Sequence, residues 1–176
     1  EVISEGLTTG SGDTWLRIGG IKVFMDGALG ARTASMLEPY ELETTNYGIV
    51  VTKQEDLLSI AKKANTNSLA MTVHAIGDRA NREVLDVYEK LRSTEKKHGH
   101  LPSKLRHRIE HVQLLHPDDY NRLGASQIIA SMQPIHATSD MLLAERYWGN
   151  RISGSYGWRT QHNAGAILAF GSDAPV

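Results

Sequence analysis

Four side chains of metal-binding type, Lys22, His74, His111 and Asp173, lie within or just beyond the carboxyl ends of short apolar runs. Neutral imidazole and carboxylate suit zinc and its divalent neighbours. An ion held by such groups lowers the pKa of a bound water to about 7, which makes hydroxide available at neutral pH. Cysteine is absent, so thiolate ligands, thiol nucleophiles and disulfides are excluded. Each of the four residues also has a plainer reading. A histidine at a strand end can be a hydrogen-bonded structural group. Lys22 can snorkel outward or pair with Asp26. Asp173, just ahead of Ala174 and Pro175, can hold a turn through an Asx bond.

The elements that must position these groups alternate along the chain. Residues 21–25, 69–74, 107–112, 127–132 and 166–170 read as strands. Between them run helical patterns. Thr52 and Glu55 form a capping box ahead of Leu57, Leu58, Ile60, Ala61 and Ala64. Asp78 caps a helix whose apolar face is Ala80, Val84, Leu85, Val87, Tyr88 and Leu91. A short helix opens at His116 and Pro117, and helical segments are expected in 139–148 and 156–164. Strand–helix alternation marks parallel α/β architecture, where chemistry gathers at the carboxyl ends of strands. Alternation of faces places Ala70 and Thr72 beside His74, Ile109 beside His111, and Ala169 and Gly171 beside Asp173. Phe24 and Asp26 share the Lys22 face. Glu110 points away from His111 and suits an ion pair with an arginine.

At 176 residues the chain is one domain or a piece of a larger one. Nineteen Lys and Arg stand against twenty Asp and Glu, a net charge of -1, so there is no basic excess to bind nucleic acid. No apolar run approaches the ~20 residues of a membrane span. The chain opens polar, without a signal peptide and without Met, and ends just past a strand. Both ends read as cut from a longer protein, and a cytoplasmic location is the default.

Five segments together resemble the metal-dependent amidohydrolase superfamily. They are 21–34, 74–80, 108–113, the Ser131-Met132-Gln133-Pro134 run with His136 and Asp140, and 171–176. More narrowly, they are similar to amidohydrolase family 3, the group with N-substituted formamide deformylase-like enzymes. The resemblance implies the C-terminal part, about strands 4 to 8, of a distorted TIM (β/α)8 barrel over residues 1–176, lacking strands 1–3. It implies one or two divalent metals, zinc first among them. Lys22 would be a carboxylated lysine bridging two ions, His74 and His111 ligands, and Asp173 both ligand and general base. The family's paired strand-1 histidines have no counterpart here. His98-Gly99-His100 follows Glu95-Lys96-Lys97 rather than an apolar strand, and reads as a solvated helix end.

The implied reaction is hydrolysis of carbon–nitrogen bonds other than peptide bonds in a small-molecule substrate. His136, just past the fourth strand, is a candidate substrate contact. An ester or phosphotriester hydrolase, or a non-catalytic α/β binding module, are the alternatives. Convergence of Lys22, His74, His111 and Asp173 on one point would speak against the module. With the two strand-1 histidines missing, the chain by itself is expected to be inactive, and five strands cannot close a barrel. It should associate into a homo-oligomer through its open side, or leave residues 27–50 disordered.

Overall fold

Val23, Val73, Ile109, Ala130 and Leu168 occupy matched positions on five strands and share one apolar face. In the computed structural model, which describes residues 2–97 and 104–174, these strands form one parallel sheet in the order β1-β2-β3-β4-β5. They are β1 (Ile21–Phe24), β2 (Met71–Ala75), β3 (Arg108–His111), β4 (Ile129–Met132) and β5 (Ile167–Phe170). The strand order never reverses. Right-handed crossovers that always advance the same way leave their helices on one side of the sheet. The core bears this out, because Val23, Val73, Ile109 and Ala130 pack with residues of α1 (Gln54–Thr66) and α2 (Asp78–Lys97).

The opposite face carries two rows across the sheet. One is Lys22, Thr72, Arg108, Ile129 and Ile167, and the other is Phe24, His74, Glu110, Ser131 and Ala169. This face is open at its ends, where Phe24 is 49% and Ile167 44% exposed. Glu110 pairs with Arg108, as its position beside an arginine suggested. Beyond β3 come the 3-10 turn Pro117–Asp119, α3 (Arg122–Ala125) and β4. Then follow α4 (Pro134–Trp148), a 3-10 helix (Gly149–Gly154) and α5 (Trp158–Asn163).

Several local expectations are corrected. The capping box at Thr52 does not form: Lys53 is the N-cap of α1, without a side-chain cap bond. Helix α4 begins five residues before 139, with proline in its first turn. Its polar opening, His136 through Asp140, hides the helix from an apolar-period search. Residues 27–50 are packed rather than disordered. Leu29, Ala34, Met36 and Tyr40 are buried against Ile76, Leu114, Ala144 and Trp148 in a second apolar cluster. Gly77 permits this close approach, because a Cβ there would lie 2.0 Å from the Ser35 carbonyl oxygen. That same carbonyl accepts the N–H groups of Arg79 and Ala80 at the start of α2. His98-Gly99-His100 lies outside the described residues. No helix among the described residues is long and apolar enough to cross a membrane.

Candidate metal centre

Strict alternation would put His111 on the buried face of Ile109. The structure corrects this. His111 and Val112 both take left-handed backbone conformations, φ 76° and 45°. Such a conformation is uncommon for any residue with a Cβ and an outlier for a β-branched one. The turn of the chain swings the His111 ring to the open face. There it meets His74 edge-on, with ring centroids 4.6 Å apart and planes at 74°.

His74 is held from behind. Its Nε2 lies 2.9 Å from the Gly27 carbonyl oxygen and 3.4 Å from Asp26 Oδ1. A carbonyl can only accept, so Nε2 carries the proton and Nδ1 keeps its lone pair. An outer partner on one ring nitrogen that frees the other is the usual support of a metal-binding histidine. Asp26 is 2% exposed and does not pair with Lys22. Its carboxylate accepts the N–H groups of Ser35, Ile76 and Gly77 at 2.9, 3.1 and 2.8 Å. Burial nevertheless pushes its pKa up to about 7. The end of β1, the 27–50 loop and the β2–α2 turn are thus tied together at one buried acid directly behind His74.

His136 sits in the first turn of α4, its Nε2 3.4 Å from Asp173 Oδ2. Asp173 lies past β5 with φ 59°. One ligand atom each from His111, His136 and Asp173 can be chosen so that all lie within 4.8 Å of one another. Lys22 reaches the same open face. Its Nζ lies 4.9 Å from the Phe24 ring centroid, and its charge acts on both His74 and His111. The four expected residues therefore come to one region, with His136 in the innermost group.

Burial pushes His111 down to about 4, helped by its neighbour His74, and burial lowers His74 as well. Both rings are neutral at neutral pH, the form that ligates a metal. His111 Nδ1 is buried and has no hydrogen-bond partner among the described residues. A buried polar atom without a partner is costly, and a cation at the trio would satisfy it. The donor set of two imidazoles and a carboxylate fits a zinc-type ion.

The matched segments included Asp140 and Gln113 but gave neither a role. Asp140, one turn along α4 from His136, accepts from Gln113 Nε2 at 2.7 Å and from the Tyr156 hydroxyl at 2.9 Å. Gln113, Tyr156 and Trp158 line a narrow crevice with His111 and His136. Only the four-residue spacing of His136 and Asp140 hinted at a shared helix face. Asp78 is the first residue of α2, and its Oδ1 accepts from Leu37 and Arg79, so it joins loop to helix.

Residues 2–176 match the amidohydrolase family. This chain belongs to that family. Among curated proteins, LONG AFTER FAR-RED 3 of Arabidopsis thaliana is 38% identical over 164 residues, covering 92% of this chain and 27% of the relative. Two solved structures of uncharacterized metal-dependent hydrolases superpose closely. That from Pyrococcus horikoshii gives a TM-score of 0.85 at 33% identity over 99% of this chain and 33% of its own. That from Pyrococcus furiosus gives 0.83 at 31% identity over 99% of this chain and 34% of its own. This amidohydrolase chain spans about a third or less of the length of each relative.

Proposed function

We propose that this chain forms part of the metal centre of a hydrolase that cleaves carbon–nitrogen bonds other than peptide bonds. Small N-formyl or N-acyl amines are the substrate class. The observation that carries the reading is the convergence of His111, His136 and Asp173 beside His74, with a buried His111 nitrogen left unpartnered among the described residues. Such convergence disfavours a purely non-catalytic module. The Pyrococcus relatives are named as metal-dependent hydrolases, and that name supports the same reading.

His111, His136 and Asp173 would hold the ion, with His74 and a carboxylated Lys22 completing a second position in the full barrel. A divalent ion, zinc by its ligand types, supplies acidification of water and polarisation of a carbonyl. The side chains do the rest. His74 is kept in one tautomer by Gly27 and held in place by the acid behind it. Asp173 Oδ2 takes a proton from the attacking water and returns it to the leaving nitrogen, which must be protonated to depart. His136 Nε2, 3.4 Å away, orients that carboxylate. The chain spans about a third of the length of its solved relatives, so the 176 residues alone would not turn over substrate.

The test is hydrolysis of a panel of N-formyl and N-acyl amines by the full-length protein, before and after dialysis against a chelator. Activity should vanish on chelation, return with zinc, and be lost in Asp173→Asn. Chelator-resistant activity, or turnover of esters and phosphotriesters with no amide cleavage, would overturn the reading.

A further inference from the structure

A second opening lies away from the histidines. A cavity of about 510 Å³ lies between the loop after β1, the start of α2, the loop after β3 and the 3-10 helix Gly149–Gly154. Its volume falls in the range of small-molecule sites, roughly 300–1,000 Å³. It has no lining residue in common with the crevice at His111 and His136.

The wall of this cavity is chemically divided. Leu37, Leu114 and Leu115 give an apolar side. Asp78 is 3% exposed, and only its Oδ1 is engaged, by the N–H groups of Leu37 and Arg79. Its Oδ2 has no hydrogen-bond partner among the described residues, and Asp78 lines the cavity, so this oxygen is free to accept from a ligand. Glu38 stands exposed at the rim, its carboxylate also unpaired among the described residues. Arg151 lines the same space. Its guanidinium donates to the carbonyls of Trp148, Glu38, Pro39 and Tyr147, which fixes the group in place. No carboxylate among the described residues lies within ion-pair distance of it, although its charge is felt by Asp78 across the cavity. The other cation in the wall, Arg82, is already paired with Asp119.

We propose that this cavity is a second ligand site and that its ligand is a small free amino acid with an apolar side chain. The ammonium group donates to Asp78 Oδ2 and Glu38, the carboxylate lies against Arg151, and the side chain packs on the leucines. A simple anion would meet the two acids, and a simple amine would meet the arginine. Only a zwitterion satisfies both. The site does not involve the metal centre, so its fate is independent of the hydrolase reading.

The experiment is isothermal titration of the full-length protein, metal-loaded and metal-free, with leucine, with isocaproate lacking the ammonium, and with isoamylamine lacking the carboxylate. Leucine should bind in both forms, and each half-ligand should bind at least roughly tenfold more weakly. Asp78→Asn keeps an oxygen to accept from Leu37 and Arg79 but removes the charge. It should weaken leucine by roughly tenfold or more while metal content stays the same. If that variant does not fold, Glu38→Gln at the exposed rim should weaken leucine in the same direction. No leucine binding at millimolar concentration would overturn the proposal. So would affinity indifferent to both variants, or isocaproate binding as tightly as leucine. A full-length structure with its own chain filling the cavity would do the same.

Discussion

His111 combines a left-handed backbone with a buried nitrogen that bonds to nothing among the described residues. Both features are costs to folding. In His111→Asn the new side chain tolerates the backbone conformation as histidine does, and the imidazole that would ligate the ion is removed. The full-length variant should lose its bound metal while its metal-free stability changes by less than about 1 kcal/mol. Metal analysis beside urea denaturation checks both halves. His107 makes the opposite case, a histidine with purely structural duties. It is fully buried, stacks on Tyr88, accepts the Met71 N–H at Nδ1 and faces Glu95 Oε1 across 3.4 Å. Burial lowers its pKa below the ordinary 6.5, so the folded state resists protonation more than the unfolded chain does. Its contribution to stability is therefore intact above that value and declines as pH falls through it, because the unfolded state binds the extra proton. His74 and His111 shift the same way in the metal-free chain. His107→Gln should accordingly flatten, not abolish, the fall in urea midpoint between about pH 7 and pH 5.

At the scale of elements, α1 starts on Lys53, whose side chain caps nothing. Thr52→Ala should leave thermal stability within about 0.5 kcal/mol. Lys53→Ser or Lys53→Asp should raise it by about 1 kcal/mol, because those side chains can accept from the orphan N–H groups of the first turn. Calorimetric melts of the two variants decide between a cap at residue 52 and one at 53. The strands were legible from apolar runs to within a residue or two at each end, and their parallel direction from the helices between them. Legible too was the gathering of Lys22, His74, His111 and Asp173, since successive parallel strands end on the same side. What alternation could not give was the face of His111, because two consecutive left-handed residues are invisible to a period-two pattern. Nor could it give the packed 27–50 loop, where Leu29, Met36 and Tyr40 are spaced without any period. The innermost place of His136 escaped for a third reason, that a polar first turn concealed the helix carrying it.

At the scale of the whole molecule, the sheet among the described residues has two edges, β1 and β5, each paired with a strand on one side only. Phe24, Ile167 and Phe170 stand 49, 44 and 58% exposed near those edges. Unpaired backbone beside exposed apolar side chains recruits other chains. The 176-residue chain prepared alone should therefore self-associate at micromolar to millimolar concentration. Sedimentation equilibrium reads this directly, and a monomer across the range would show that the edges are tolerated.

Every residue of β2 is buried, and the strand lies between β1 and β3 with α2 packed against it. Opening β2 to solvent means parting both neighbours and lifting a twenty-residue helix. The amides of 71–75 should therefore be the last to take up deuterium, at a rate set by global unfolding. Those of β1 and β5, which can fray outward without disturbing the centre, should exchange earlier. His74 thus belongs to the slowest-moving part of the molecule and Asp173 to its rim. A mass-spectrometric time course would find the two ends of one chemical site on opposite ends of the protein's clock.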